Sequence, residues 1–436
     1  MKGYIYKYGF VGLLVAGILM VYLQTLQPVF KEPKLKRSLE LSTWQDVSWA
    51  TWSDGAFQEN TSQFVRDHFG FFNSTLMNFN QLEYSVFGVV HAKGVVIGDQ
   101  GYMYEQNYID AYYGRDFIGD SLIDARTARI KQIRQKLLDS FNVQLMVVFA
   151  PGKASFYPEY IPKHLKGEYR EEATNLFALK QAMRAHEIPY LDLNTWFIRE
   201  KEVSEYPLLS QTGIHWSYYG IHRAIDTIMA YSETLLKQEL ADLVIDSIEL
   251  SRKARFTDDD IEKGLNLMNR LSKQELAYPK YSYVTKDSTF QKVILMGDSY
   301  GLGLFRHGML AKGFCSGQFW FYNRKVYSSE FYGRNLDYFD KINELKTANL
   351  VILICTEATA RRFPFHFDEE LHEKLFLNHS ENSDMALGVR EIIKGFRQDG
   401  EVMREFIEIA DENRVPINGV LFNAAIKRYK WDNRDK

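Results

Sequence analysis

Two residues of this 436-residue chain are of the types that nucleophilic catalysis uses, and each stands where a turn would present it. Ser299 closes the stretch "KVILMGDS": strand-like residues Val293 to Met296 run into Gly297, Asp298 and Ser299, and apolar helical spacing resumes at Leu302, Leu304 and Phe305. A serine there sits at a helix N-terminus, where free backbone N–H groups and the helix dipole can stabilise an oxyanion. Gly297 and Gly301 leave room for a substrate carbonyl. His215 lies in "PLLSQTGIHWSYYG", a glycine-containing turn followed by an aromatic residue and a helix-starting serine. A histidine acting as general base needs a nucleophile to deprotonate and, usually, a carboxylate to orient its ring. The three residues before it are Thr212, Gly213 and Ile214, so no acid is adjacent. Ser299 is also what an ordinary helix cap would be, and that structural explanation stands beside the catalytic one.

Other candidates cluster at strand ends. Glu357 follows "NLVILICT" and Asp192 ends "IPYLD"; either could orient the far nitrogen of His215, and either could simply cap a helix or pair at the surface. Asp298 is expected to fix the turn, with Gly297, Tyr300 and Gly301 supporting the serine. Lys153 and Tyr157 follow "VQLMVVFAPG" and are expected to face the same cleft, the lysine attracting an anionic sugar or steadying an acyl oxygen, or else merely solvated. Trp216 and Tyr218, beside the histidine, could stack on sugar faces. The histidines form no H-x-H or H-x-x-x-H pair with carboxylates nearby, so neither a metal nor another cofactor is expected. Gly297 to Gly301 also reads as G-x-S-x-G, the α/β-hydrolase elbow, which needs its histidine downstream. His307, His366, His372 and His379 follow, but none stands in a short turn after a strand.

These residues need a scaffold. Four apolar stretches, around 143–149, 188–192, 292–297 and 349–355, alternate with helical spacing over 124–141 and 171–186. That alternation predicts an α/β fold, a mostly parallel sheet flanked by helices, with sites at the carboxyl ends of its strands. Residues 95–97 and 102–104 read as a hairpin, and 233–280 as a charged helical insertion without strands. Residues 1–30 form a signal anchor or transmembrane helix: nothing charged occurs from Tyr8 to Phe30, and no small-residue cleavage pattern follows. Residues 31–123 are expected to pack as helices and hairpin on the core domain, 124–436. Lys31, Lys34, Lys36 and Arg37 follow the apolar stretch, which by the positive-inside rule would place that side in the cytoplasm; the resemblance described below implies the opposite orientation, and that is the expectation adopted. A net charge of -3 and the absence of basic runs exclude nucleic acid as a partner class. Two cysteines, Cys315 and Cys355, indicate no disulfide framework.

Taken together the segments carry a resemblance. "GDS" at 297–299 resembles the nucleophile block of the SGNH (GDSL) hydrolases, and "TGIHWS" resembles their histidine block. Here the histidine precedes the serine by 84 residues, an order that resembles the alginate-type polysaccharide O-acetyltransferase branch. "VVIGDQGYMYEQNYIDAYYG" and "VVFAPGKASFYPEYIP" are similar to two further segments of that branch. The resemblance implies a periplasmic domain on a cytoplasmic-membrane anchor, a polysaccharide substrate, a membrane-bound O-acyltransferase partner, and acyl transfer through Ser299 and His215. An acetyl-esterase of the same fold, or a degenerate polysaccharide-binding scaffold, would carry the same blocks. The branch's aspartate, two residues before the histidine, is Gly213 here, and the position three before is Thr212. The superfamily's further oxyanion blocks have no counterpart unless Thr356, Glu357 and Arg361 of "CTEATARRF" fill that role.

Overall fold

The computed structural model describes residues 2–36, 42–285, 290–376, 384–413, 415 and 417–434; Arg37 and His379 lie outside them. The chain divides into two compact units, one of residues 1–95 and 259–272, the other of 96–258 and 273–436. The division differs from the expected boundaries: 96–123 belongs with the α/β unit, and 259–272 with the N-terminal residues.

The α/β unit is built on a seven-stranded sheet. Strands β1 (Val95–Ile97) and β2 (Met103–Glu105) form a separate two-stranded pair around the turn at 99–101, one residue later than the spacing predicts for the second strand. The sheet itself takes β3 (Gln144–Phe149), β4 (Tyr190–Asp192), β7 (Gln291–Gly297), β8 (Cys315–Phe321), β9 (Lys325–Tyr327), β10 (Tyr332–Asn335) and β11 (Leu350–Cys355), in the order β10-β9-β8-β7-β11-β3-β4. From β8 to β4 the pairing is parallel, and β9 and β10 add antiparallel strands at one side. All six residues of β11 are buried, as befits a strand covered on both faces. Helices Asp120–Phe141 and Asn175–Ala185 supply Ile123, Ile130, Ile133, Leu137 and Leu179 to the core that receives Leu145, Val147 and Phe149 of β3. Register aligns the strand ends: Gly297 pairs with Ile354, Cys355 with Phe149, and Phe149 with Asp192. The residues that follow these strands therefore share one rim.

Two expectations need correction. The sheet has three strands beyond the four expected, because β8, "CSGQFWF", is only half-buried over its first four residues and never makes a continuous apolar run. The insertion is not purely helical. Strands β5 (Asp242–Ser251) and β6 (Leu276–Val284) form a long antiparallel ribbon whose first strand is largely exposed, so its charged residues face water rather than marking a helix.

In the N-terminal unit, the helix Lys2–Leu26 contains one span, Tyr8–Leu26, long and apolar enough to cross a membrane. Gly70 donates its N–H to Thr25 Oγ1 at 2.7 Å, and a Cβ there would lie 2.5 Å from the Val21 carbonyl, so only glycine fits against this helix. The Glu32 carboxylate accepts from the Phe71 and Ser74 N–H groups at the start of helix Phe72–Phe87.

Candidate active site

Asp298 caps the helix Ser299–Arg306. Its Oδ1 accepts from the Tyr300 N–H at 3.0 Å; its Oδ2 accepts from the Thr356 N–H at 2.9 Å and from the hydroxyls of Thr356 and Thr359 at 3.1 and 2.6 Å. One buried carboxylate thus ties the end of β7 to the end of β11 and fixes the turn that presents Ser299. Gly297 permits the close approach of these strands, since a Cβ would stand 2.1 Å from the Ile354 carbonyl.

Into this rim comes the histidine loop. His215 Nε2 lies 2.9 Å from Ser299 Oγ, the distance a general base needs to take the hydroxyl proton. The adjacent Tyr300 locks the partners together: its hydroxyl donates to the Ile214 carbonyl at 2.6 Å, and its ring packs 5.0 Å from the His215 ring. Ser217 Oγ caps the helix Tyr218–Leu236 by accepting from the Gly220 N–H and donates to the Pro207 carbonyl.

Lys153 and Tyr157 do not face a substrate cleft. Lys153 is fully buried and donates to the carbonyls of Ser210, Gln211 and Gly213, while the Tyr157 hydroxyl donates to the Leu209 carbonyl at 3.0 Å. A tight loop turns several carbonyls inward, and these must find donors; the lysine supplies them from behind. Asp192 is likewise elsewhere. It caps the helix Leu193–Glu200 through Thr195 and pairs with Lys180 at 2.7 Å. On β4 it lies three strands from β7, about 14 Å across the sheet. Glu357 ends the neighbouring strand, but its carboxyl presses on Gly152 and accepts from the Ser155 N–H, on the β3 side. Burial pushes Glu357 up to about 7.

The oxyanion expectations also shift. The Tyr300 N–H is occupied by Asp298 Oδ1, and the Gly301 N–H by the Asp298 carbonyl at 3.1 Å; Gly301 instead makes room for the Phe319 ring. Thr356 serves Asp298. Arg361 is exposed and lines a second cleft of about 250 Å³ together with Arg126, Arg324 and Arg362. Near the reacting hydroxyl stand the Ser299 N–H, at the start of its helix, and the phenol of Tyr322, which follows β8. Burial and then the Asp298 charge push Tyr322 up to about 12, against Arg362 and a hydrogen bond with Ser299. No motif marks Tyr322; only knowing that β8 neighbours β7 would have found it.

Ser299 and His215 open, half-buried, onto a cavity of about 470 Å³. Tyr218, Phe256, Leu302 and the wholly buried Trp216 form walls, with Arg306 at the side. Burial holds His307 down at about 3 and His222 at about 4, so both are neutral at pH 7. Trp216 backs the cavity and packs on Tyr300, whereas Tyr218 keeps an accessible face. Of the downstream histidines, His366 and His372 are exposed and bond Glu369 and Gln132, so the serine's partner is the upstream His215.

Residues 95–304 match the family model described as SGNH hydrolase-like domain, acetyltransferase AlgX. No curated protein matches the chain. Among solved structures, the O-acetyltransferase domain of Pseudomonas putida AlgJ aligns at 18% identity and TM-score 0.41, over 62% of this chain and 92% of that one. Pseudomonas aeruginosa AlgX aligns at 14% and 0.40, over 64% and 66%. Bacillus cereus PatB1 aligns at 11% and 0.39, over 61% and 96%. Scores of this size carry no inference about mechanism or substrate.

Proposed function

We propose, from the match of residues 95–304 to the model described as SGNH hydrolase-like domain, acetyltransferase AlgX, that this chain transfers an acetyl group onto a secreted or cell-surface polysaccharide through Ser299 and His215. The observation that carries this reading is the 2.9 Å approach of His215 Nε2 to Ser299 Oγ at the start of a helix after a central parallel strand. His215 takes the Ser299 proton as Oγ attacks the carbonyl carbon of an acetyl ester. The Ser299 N–H and the Tyr322 phenol hold the oxyanion, and the donor alcohol leaves with the proton from His215. A sugar hydroxyl then attacks the acetyl-serine, His215 accepts its proton, and Ser299 is restored as the leaving group. The sugar enters the aromatic cavity beside Tyr218. The donor is a membrane-bound O-acyltransferase or a small ester. The apolar span Tyr8–Leu26 anchors the domain on the extracytoplasmic side of the cytoplasmic membrane.

Hydrolysis is the second reading, favoured by the half-exposed position of Ser299, which leaves a path for water. Purified chain is expected to be labelled at Ser299 by a serine-directed fluorophosphonate and to release p-nitrophenol from p-nitrophenyl acetate. Ser299→Ala and His215→Ala should each abolish both. Acetylated oligosaccharide in the products would establish transfer, free acetate alone would establish the esterase, and an unlabelled wild type would reduce the chain to a binding scaffold.

A further inference from the structure

The loop that leaves β5 runs along the histidine turn. Among the described residues, the titratable and charged groups near the histidine turn and Ser299 include Tyr300 and Asp298 at the nucleophile helix, Tyr322 after β8, Tyr218, Tyr281, Arg306 and His307 of the cavity, and Asp258. Asp258 is 1% exposed. Its Oδ1 accepts from the Tyr218 N–H at 3.0 Å, three residues after His215, and its Oδ2 is buried as well. Two residues before His215, a Cβ on Gly213 would stand 2.6 Å from the Thr257 carbonyl and 2.9 Å from that of Asp258. Residues 257–258 therefore run along the segment 213–218 and touch it on both sides of the histidine. Thr257 lines the same cavity as His215 and Ser299. The negative charge of Asp258 is felt locally, raising the pKa of Tyr218 and Tyr278 in addition to the effect of their burial.

We propose that Asp258 is the positioning carboxylate of His215, supplied from a distant loop instead of from the histidine's own turn. Gly213 stands where the resembling branch carries its acid, and it is glycine because the backbone of Thr257 and Asp258 fills the space a side chain would need. The carboxylate accepts the His215 Nδ1 proton, which leaves Nε2 free to take the proton of Ser299, and it stabilises the imidazolium that forms. The arrangement turns an apparent dyad into a triad drawn from three separated segments.

This inference rests on the Ser299–His215 reading, and the test separates the two. Full-length chain in detergent is labelled at Ser299 with a fluorophosphonate across pH 5 to 9, alongside Asp258→Asn and Asp258→Ala. Asparagine keeps an acceptor for the Tyr218 N–H, so the loop's packing survives while the charge is lost. Asp258→Asn is expected to slow labelling by about 10²- to 10⁴-fold and to move the base limb of the pH profile down by about 1 to 3 units. Should the variants not fold, the wild-type profile still decides, since a carboxylate partner holds the limb at or above the ordinary histidine value of about 6.5. An Asp258→Asn chain labelled at the wild-type rate and with the wild-type profile, or a wild-type limb well below that value, overturns the assignment and leaves the serine–histidine pair standing. A wild type that is not labelled at all removes the functional reading itself.

Discussion

At the rim of the sheet, Glu357 is a carboxyl that the fold holds neutral over a range where a free one would ionise. Burial pushes it up to about 7, against the N–H groups of Ala154 and Ser155 and the charge of Lys180. In the window between the unfolded value near 4.5 and the folded value, the native state binds the extra proton, so this group's contribution to stability is present below pH 4.5 and is lost as pH rises toward 7. Glu357→Gln is therefore expected to match wild type at pH 4.5 and to exceed it at pH 8 by on the order of 3 kcal/mol, from about 1.4 kcal/mol per pH unit. Denaturant unfolding at the two pH values checks this; equal midpoints at pH 8 would contradict it. The same residue illustrates what a linear reading can see. That Ser299, His215 and Asp298 matter locally is written in their neighbours, because a serine between a strand run and resumed helical spacing can only sit at a turn. Which acid faces which base is not. Glu357 and Asp192 look as eligible as any strand-end carboxylate, and they are excluded only by strand order and by the direction their side chains take. Asp258 and Tyr322 carry no local mark, since their place depends on which loops fold over the histidine turn.

Among the elements, the loop 207–217 behaves as a cassette clamped between two supports. Lys153 and Tyr157 hold its carbonyls from one side, and the Tyr300 hydroxyl holds Ile214 from the other. Lys153→Met keeps the buried stem but strands the carbonyls of Ser210 and Gly213 without their donor. The expected cost is about 3 kcal/mol of stability and a drop of at least about tenfold in Ser299 labelling, because the imidazole loses its fixed position. Unchanged labelling would show that Tyr300 suffices. Strands β3, β7 and β11 were readable because a strand covered on both faces is apolar at nearly every position. β8 to β10 escaped for the opposite reason, as they are short or only partly buried and mix aromatic, polar and glycine residues. Strand β5 of the ribbon was hidden by its exposure, since a strand in water needs no apolar stripe and its charges pass for a helix surface.

At the scale of the molecule, the span Tyr8–Leu26 is apolar, 6% buried, and studded with exposed Phe10, Leu13 and Ile18. Its length and apolar surface match the hydrocarbon core of a bilayer, which is why the proposed function uses it as an anchor. Deleting residues 2–26 is expected to move the chain from the membrane pellet to the supernatant after high-speed sedimentation, with fluorophosphonate labelling of Ser299 retained within about twofold of the full chain, as the reactive pair lies wholly in the α/β unit. A deleted chain that still pellets while remaining folded would exclude this helix as the anchor.

The hydroxyl of Tyr300 reaching across to Ile214 has a temporal consequence. Imidazole and nucleophile are separated by 84 residues and meet only where the 207–217 turn sits against the helix that follows β7. Without that contact the serine is an ordinary alcohol, chemically silent in any unfinished or unfolded chain. On the proposed function, latency is therefore a property of chain order itself, and a nascent polypeptide would not squander acyl esters before it has matured.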